Sequence, residues 1–278
     1  MNVRQLLAEG RQALADTDLP ALEATILLGH VLGHDRAWFY ANPEAVVTGA
    51  DTARYRALLQ RRAEGAPIAY LTGVREFWSM ELTVTPDVLI PRPETELLVE
   101  TVLERIPADA TCRIADLGTG SGAVALAIAA ERPACEVHAT ELSAAALAVA
   151  RTNAERLLPG RVHFHHGSWC APLAGAFRLI ASNPPYVEQG DPHLDQGDCR
   201  FEPRAALTPG ADGLAAIRAI ARQAMTLLEA GGWLVFEHGF EQGPAARAVL
   251  EKLGYEEVAT RTDLEGRERV TSGRRPAV

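Results

Sequence analysis

The sequence has a single lysine, Lys252, and no dense run of basic residues. Its densest basic positions are the pairs Arg61-Arg62 and Arg274-Arg275, and the formal net charge of the 278-residue chain is −9. A protein that holds nucleic acid mainly through phosphate contacts usually has a basic excess or a basic stripe. The composition therefore argues against a stable nucleic-acid partner.

Long apolar runs and paired cysteines are absent as well. No stretch of about eighteen apolar residues occurs, and no basic start leads into an apolar segment, so neither a membrane span nor a signal peptide is predicted. No C-x-x-C pair occurs among the four cysteines, Cys112, Cys135, Cys170 and Cys199. They are typical of reduced thiols in a cytosolic protein. We expect a soluble, cytoplasmic protein with no membrane partner.

The hydrophobic spacing changes twice along the chain. Residues 1–72 have helical spacing and predict a small N-terminal helical domain. Residues 73–88 alternate with period two and predict a β-hairpin linker. Residues 89–278 alternate between short apolar strands and amphipathic helices, which predicts an α/β domain.

Local signals predict several element boundaries. Pro20 begins a helix that Gly33 ends, and Asp51 is the predicted N-cap of a later helix. Pro93 suits the first residue of a helix through Leu103. In the predicted hairpin, the even-numbered positions are occupied by Val74, Glu76, Trp78, Met80, Leu82 and Val84.

The alternation in the second half predicts a doubly wound, Rossmann-like sheet that ends in a β-hairpin. The predicted strands are Ile114–Leu117, Glu136–Thr140, Val162–His165, Phe177–Ser182, Gly232–Glu237, Tyr255–Ala259 and one near Arg269–Thr271. The predicted helices are Ala123–Ala130, Ala144–Arg156, Leu214–Leu228 and Pro244–Leu253. Ligands of such sheets bind beyond the carboxyl ends of the strands, so motifs with a function are expected directly after strands.

A glycine-rich loop follows the first of these strands. Its sequence is Asp116-Leu117-Gly118-Thr119-Gly120-Ser121-Gly122. Glycines permit tight turns and a close approach of backbone to a ligand. Glu141 follows at about the twenty-residue spacing at which a carboxylate accepts hydrogen bonds from ribose hydroxyls. The pattern predicts a nucleoside-type cofactor, and an NAD enzyme remains an alternative because Gly118, Gly120 and Ala123 also satisfy the dinucleotide fingerprint.

A second loop, Asn183-Pro184-Pro185-Tyr186, follows a later strand and distinguishes these alternatives. The two prolines keep the backbone extended and rigid. The Asn183 side-chain oxygen and the Pro184 carbonyl can accept the two hydrogens of a target –NH₂ group, and Tyr186 can stack on a planar amide or base. Nicotinamide chemistry has no use for this turn, whereas methyl transfer to a planar nitrogen requires acceptors placed as this turn places them.

The chemistry of an amide nitrogen explains the need. Its lone pair is delocalised into the carbonyl, so it is a poor nucleophile. When two protein oxygens accept hydrogen bonds from both hydrogens of the amide, the electron density on the nitrogen rises and the nitrogen is oriented. In-line attack on a sulfonium methyl group then depends on positioning and preorganised dipoles. The proton can leave after the methyl group arrives, which agrees with the lack of an evident acid–base pair. We therefore predict an N-methyltransferase that uses S-adenosyl-L-methionine (AdoMet).

The sequence also resembles the HemK/PrmC family, the glutamine N5-methyltransferases that modify peptide chain release factors. The resemblance covers most of residues 73–273. Its matching segments are Ile90-Pro-Arg-Pro-Glu-Thr-Glu96, the glycine loop, Ser182–Tyr186, Phe201-Glu-Pro203 with Ala206-Leu207, and Glu237-His-Gly239 with Gln242-Gly243. Many relatives have Asp where this chain has Glu141, which keeps the carboxylate and adds one methylene group.

The resemblance implies a role for each part of the chain. Asp116, Gly118 through Gly122, Glu141, Trp169 and Asn183 would hold AdoMet, which becomes S-adenosyl-L-homocysteine. Asn183, Pro184, Pro185 and Tyr186 would hold the glutamine of the release factor's Gly-Gly-Gln motif, with Arg92 and Glu94 beside it. Residues 1–72 would help to recognise the protein substrate. The implied activity is protein methylation in translation termination.

Several alternatives stay open at the sequence level. Glu94 could merely favour a helix N-terminus, and Trp169 could be an ordinary core aromatic. The chain could instead methylate a nucleic-acid base of the adenine N6 type or a ribosomal-protein glutamine, or it could bind AdoMet without catalysis. No metal site is expected. His30 and His34 stand four residues apart, but Gly33 intervenes and no third ligand is nearby, and His163, His165 and His166 are typical of a strand and its solvated end.

Overall fold

The computed structural model describes residues 1–277, which divide into two compact units. One unit comprises Met1–Val74 and Gln196–Phe201, and the other comprises Arg75–Asp195 and the chain from Glu202 onward. The first unit has one cluster of buried apolar side chains, and the second unit has two. The predicted division at residues 72/73 and 88/89 stays a prediction.

The first unit is helical. Its helices are α1 (Val3–Ala13), α2 (Pro20–Leu32), α3 (Arg36–Ala41), α4 (Gly49–Ala63) and α5 (Ile68–Thr72). Leu27 and Leu28 of α2 pack in one core cluster with Tyr55 of α4, whose hydroxyl donates to the Ala24 carbonyl at 3.2 Å. Gly33 ends α2 in the left-handed conformation, with φ of 70°, as predicted.

The α4 boundary predicted at Asp51 is wrong. The helix begins at Gly49, and the Thr48 hydroxyl caps it by accepting the Asp51 amide at 3.1 Å. Asp51 is thus the third helical residue, where its charge favours the helix N-terminus. Helices α3 and α5, of six and five residues, were not predicted because they are too short to show a hydrophobic period.

The predicted strand pair is present. Its strands are β1 (Val74–Phe77) and β2 (Met80–Thr83). Trp78 and Ser79 have φ of 52° and 56°, as a two-residue type I′ turn requires. The predicted parity holds in β2, where Leu82 is buried, and is wrong in β1, where Phe77 is buried and Glu76 is exposed. Because the turn has two residues, the odd-numbered residues of β1 lie on the same face of the hairpin as the even-numbered residues of β2. This explains the difference between the two strands.

The second unit contains a seven-stranded, mostly parallel sheet. Its strands are β3 (Arg113–Leu117), β4 (Glu136–Glu141), β5 (Val162–His166), β6 (Phe177–Ser182), β7 (Leu228–Glu237), β8 (Glu256–Thr262) and β9 (Glu268–Arg274). Their spatial order is β5-β4-β3-β6-β7-β9-β8, and β9 is antiparallel to both neighbours. This confirms the predicted Rossmann-like sheet with its terminal hairpin.

Helices cover both faces of this sheet. They are α6 (Glu96–Arg105), α7 (Ala123–Glu131), α8 (Ala144–Leu157), α10 (Ala215–Leu227) and α11 (Gly243–Lys252), and the four-residue α9 (Arg204–Leu207) lies in the connection between β6 and β7. One core cluster contains α6 and α7 side chains with Ile114 and Val235, and another contains α10 and α11 side chains with Ala115 and Leu234. Alternate residues of a strand thus face opposite helical layers, as expected for a strand buried on both sides.

Some boundaries differ from prediction. Pro93 begins a 3₁₀ turn, Pro93–Thr95, and α6 follows it, because a first turn often tightens to 3₁₀ geometry. Strand β7 begins at Leu228 instead of Gly232, and a register shift against β6 accommodates the extra residues. The four-residue α9 lies within a stretch for which no helix was predicted.

Candidate active site

A cavity of about 350 Å³ opens beyond the carboxyl ends of β3 and β6. Strand β3 lies between β4 and β6, so the connections that leave β3 and β6 diverge there and form a crevice. Ten of the predicted site residues line it: Arg92, Asp116, Gly118, Thr119, Gly120, Ser121, Glu141, Trp169, Asn183 and Pro185. The described lining does not include Glu94, Gly122, Pro184 or Tyr186.

The glycine loop turns tightly between β3 and α7. Gly118, Gly120 and Gly122 have φ of 70°, 56° and 88°, which L side chains rarely adopt. A Cβ atom on Gly118 would lie 3.1 Å from Cζ3 of Trp169. The indole ring therefore rests directly on the loop backbone, so both the backbone conformation and the available space disfavour a side chain at position 118.

Asp116 is the buried acid at the end of β3. Its side chain accepts a 2.6 Å hydrogen bond from the Thr119 hydroxyl, and the residue is 1% exposed. Burial raises the pKa of the Asp116 carboxyl to about 7, although hydrogen bonds from Thr119 and the Ala125 amide oppose this shift. A carboxyl that titrates near neutral pH thus lies in the cavity wall beside the glycine loop.

Glu141 joins the glycine loop to the end of β4. Its Oε2 accepts the Gly120 amide at 2.9 Å, and its Oε1 accepts the Ser143 amide at 2.9 Å. An ionised carboxylate offers about four acceptor positions, so these two bonds leave others for a ligand's hydroxyls. The predicted ribose contact is compatible with this geometry and stays a prediction.

The Asn183 loop lies opposite the glycine loop at the end of β6. Asn183 Nδ2 donates to the Thr95 hydroxyl oxygen at 3.0 Å. The Tyr186 hydroxyl donates to Oε1 of Glu237 at 3.0 Å, and Gln242 Nε2 donates to the Tyr186 carbonyl at 2.9 Å. The proline-rich loop is therefore supported from behind by side chains at the end of β7 and the start of α11.

Glu237 is the buried acid behind this loop. Burial raises the pKa of its carboxyl, while the hydroxyl groups of Thr95 and Tyr186 lower it. The pKa of the Tyr186 hydroxyl is raised well above its ordinary value, first by burial and then by the Glu237 charge. Tyr186 is thus a neutral hydrogen-bond donor to Glu237 at ordinary pH.

Known proteins with similar sequences identify the family of this chain. Two family models match: the PrmC N-terminal domain over residues 5–73, and the Methyltransferase small domain over residues 93–199. The release factor glutamine methyltransferase of Salmonella typhimurium is 48% identical over 99% of this chain and 99% of its own length. That of Bordetella pertussis is 51% identical over 95% of this chain and 98% of its own. The chain belongs to the release factor glutamine methyltransferase family.

Solved structures agree in fold. A methyltransferase from Pyrococcus furiosus is similar with a TM-score of 0.54 at 18% identity, covering 81% of this chain and 99% of that one. Release factor glutamine methyltransferases are AdoMet-dependent, so family membership implies AdoMet and disfavours the nicotinamide alternative. Within residues 1–277, no helix is long and apolar enough to cross a membrane.

Arg92 and Glu94 have different surroundings in this family member. Arg92 lines the cavity, and its guanidinium donates at 2.5 Å to Glu202, which also accepts the Ile90 amide at 2.9 Å. Glu94 is exposed. The acid of the family's Phe201-Glu-Pro203 segment therefore holds the Pro-Arg-Pro segment in place. The sequence left the role of Glu202 open, between shaping the pocket and belonging to a structural loop, because only the tertiary structure brings the two segments together.

Trp169 has a double role in the structure. It lines the cavity with φ of 48°, and it also packs against the core cluster of Phe177 and Ile217. The alternative of an ordinary core aromatic therefore does not compete with a cofactor contact, since one side chain can do both. Its predicted contact with the adenine stays a prediction.

His238 is a structural residue. It is fully buried; its Nδ1 lies 2.8 Å from the Gly239 carbonyl, and its Nε2 lies 2.8 Å from the Thr271 hydroxyl. The first contact requires a donor, so Nδ1 carries the proton and Nε2 accepts from Thr271. Burial lowers the pKa of this imidazole, which favours the neutral form. Among the described residues, no group of histidine, cysteine or acidic side chains has a metal-binding arrangement.

Proposed function

We propose that the chain transfers the methyl group of AdoMet to N5 of the glutamine in the Gly-Gly-Gln motif of a peptide chain release factor. One observation carries the proposal. The Asn183 side chain donates through Nδ2 to Thr95, which leaves Oδ1 as an acceptor in the cavity that the glycine loop also lines. The curated relatives name the release factor as the substrate.

The cavity suits AdoMet as the methyl donor. The glycine loop offers close backbone approach, Glu141 retains acceptor positions, Trp169 offers an aromatic face, and Asp116 supplies a carboxyl beside a cationic ligand. When bound, AdoMet supplies an electrophilic methyl group on a sulfonium and leaves as S-adenosyl-L-homocysteine. These residues, with Thr119, Ser121 and Gly122 of the loop, form the proposed cofactor site.

The chain's own contribution is positioning. Asn183 Oδ1 and the Pro184 carbonyl accept the two amide hydrogens of the glutamine, which raises electron density on its nitrogen and aims its lone pair. Pro185 keeps the loop extended, and Tyr186, held by Glu237, supports it. No residue has to remove a proton before attack, because the acidified nitrogen loses its proton after the methyl group arrives.

The peptide that carries the glutamine needs contacts beyond the Asn183 loop. Arg92 lines the cavity and is fixed by Glu202, so it is a preorganised donor for a peptide carbonyl. Exposed Glu94 is the next candidate for a peptide contact. Residues 1–72, which belong to the helical unit, are the proposed recognition domain for the rest of the release factor.

The direct test is methyl transfer to a purified, unmodified release factor. Incubation with AdoMet is expected to add one methyl group to the peptide that contains Gly-Gly-Gln, as measured by tandem mass spectrometry. Asn183→Ala is expected to reduce the rate by a factor of at least about 100, the scale of losing one preorganised polar group at a reacting centre. A release factor with the glutamine replaced by alanine is the substrate control.

Different outcomes would point to the alternatives. Methylation of RNA or DNA that declines steeply with added salt would indicate a nucleic-acid methyltransferase. Methylation of a ribosomal-protein glutamine in preference to the release factor would move the substrate to that class. AdoMet binding without transfer to any of these acceptors would refute catalysis.

A further inference from the structure

A strained turn carries the indole of Trp169 at the wall of the cavity. Trp169 has φ of 48°, a left-handed conformation that bulky residues rarely adopt, and its half-buried side chain lines the cavity. Its neighbours Gly167 and Ser168 line the cavity as well. Backbone strain of this kind persists only where surrounding contacts fix the chain, and it is concentrated at ligand sites. Some contact must therefore hold this turn in place.

One backbone hydrogen bond closes the turn but does not fix it completely. The Ala171 amide donates to the Ser168 carbonyl at 3.0 Å, so Trp169 and Cys170 are the two central residues. Turns of types I′ and II′ both have a positive φ at the first central residue, and they differ in the orientation of the peptide between the two central residues. The closing bond therefore leaves the orientation of the Trp169–Cys170 peptide open.

Gln223 fixes the orientation of this peptide. Its Oε1 accepts the Cys170 amide at 3.1 Å, from a position 53 residues later in the chain. A backbone N–H group only donates, so the Gln223 amide must turn its oxygen toward the turn. Gln223 lies on α10, whose buried side chains Ile220 and Ala224 belong to the same core cluster as Cys170. A helix that is packed in the core thus holds the one peptide that the closing bond leaves free.

The turn also contacts the rest of the proposed cofactor site. The Gly167 amide donates to the Glu141 carbonyl at 2.9 Å, and the Trp169 indole lies against the backbone of Gly118. Without the Gln223 oxygen, the central peptide can rotate, and the indole loses its fixed position on the glycine loop. The described lining of the cavity does not include Gln223, so the indole depends on a side chain outside the cavity.

We propose that Gln223 is a positioning residue of the cofactor site, which holds the Trp169 turn so that the indole lies against the adenine of AdoMet. This role rests on the AdoMet site of the proposed function and is independent of the methyl acceptor. An aromatic face that is already in place loses less freedom when the ligand binds, so the role of Gln223 is expressed as affinity for AdoMet.

Substitutions at Gln223 test this role through binding. Gln223→Met keeps the length of the side chain and suits a helix but removes the amide oxygen, whereas Gln223→Glu keeps an acceptor oxygen. We expect Gln223→Met to raise the Kd for AdoMet, measured by calorimetry, by about tenfold, which is the scale of one aromatic contact. Gln223→Glu should keep the Kd within about threefold of the unsubstituted protein. At saturating AdoMet, kcat should stay within about twofold in both variants, because the lost contact is equal in the ground state and the transition state.

A matched control lies three residues further along the same helix. Thr226 is exposed, and its hydroxyl donates to the Gln223 backbone carbonyl at 2.8 Å, so its polar contact stays within α10. Thr226→Val removes this polar group and is expected to keep the Kd for AdoMet within about twofold. A rise of the Kd in Gln223→Met without one in Thr226→Val separates the proposed role from a general effect of altering α10.

A double-mutant cycle tests whether Gln223 acts through Trp169. Trp169→Ala removes the indole and should itself raise the Kd for AdoMet. In that background, adding Gln223→Met should raise the Kd by less than about twofold, against about tenfold in the unsubstituted background, because the two residues share one path. If Gln223 merely stabilised the fold, the factor would be the same in both backgrounds.

Four results would each overturn the proposed role of Gln223. They are a Kd within about twofold in Gln223→Met, a Kd that Gln223→Glu does not restore, an unchanged Kd in Trp169→Ala, and an equal factor in both backgrounds of the cycle. Failure of the proposed function has a different signature: the unsubstituted protein binds AdoMet but does not methylate the release factor, and the Kd ratios still decide the role of Gln223. An unsubstituted protein that does not bind AdoMet would refute both.

Discussion

Replacing Asp116 by asparagine should remove a pH dependence of folding stability. Burial raises the pKa of this carboxyl from 3.8 to about 7 in the folded protein. The folded state therefore holds a proton that the unfolded chain releases from about pH 4 upward, so stability falls as the pH rises and levels off above about pH 7. Three pKa units at 1.36 kcal/mol each correspond to about 4 kcal/mol over the whole range.

The assay is urea unfolding of the wild-type and Asp116→Asn proteins at about pH 5 and about pH 8. Two of the three units fall within this window, so the wild type should lose about 3 kcal/mol more stability between the two pH values than the variant does. Comparing the pH-induced changes cancels any constant cost of the substitution, such as a poorer bond from Thr119. A difference below about 1 kcal/mol would refute the assignment of a raised pKa to Asp116.

The same titration should affect AdoMet. A cationic ligand favours the ionised carboxylate, so the wild type should bind AdoMet more tightly as the pH rises through about 7. The Asp116→Asn variant should lack this change. Calorimetric Kd values at the same two pH values measure it, and equal pH dependence in both proteins would contradict the argument.

Three further substitutions have structural consequences that can be measured as unfolding free energies. Gly118→Ala should cost about 2 kcal/mol, because left-handed backbone strain adds to the contact with Trp169. Gly120→Ala is the control, because a Cβ atom there meets no neighbour, and an equal cost in both variants would show that the contact is unimportant. Glu202→Ala should cost about 3 kcal/mol, because it leaves the partly buried guanidinium of Arg92 without its carboxylate partner. A decrease in unfolding free energy of less than about 1 kcal/mol would contradict this. Asn153→Ala should cost about 2 to 4 kcal/mol, because this fully buried amide joins β2 to the glycine loop through three hydrogen bonds. Asn153→Asp should cost at least as much, because its second oxygen would face the carbonyl oxygens of Thr83 and Ser121, acceptor against acceptor; a milder effect of Asp would contradict this.

Buried polar residues account for much of what sequence analysis missed. Asn153 lies in the middle of a predicted helix, where an asparagine has no distinctive local signal. Glu202 and Glu237 stood in recognised family segments, yet their partners could not be predicted. The Ile90 amide that Glu202 accepts lies 112 residues earlier in the chain, and the Tyr186 hydroxyl that Glu237 accepts lies 51 residues earlier. Sequence spacing carries no information about such contacts.

The sequence by itself determined the local chemistry. Glycines after β3 specify a tight turn, and two prolines after β6 specify an extended one, because both effects depend on the backbone of a few consecutive residues. Only the tertiary structure decided that these turns line one cavity, since their proximity depends on β3 pairing directly with β6. It also decided which way the Asn183 amide points, because Thr95, 88 residues away, accepts one end of it.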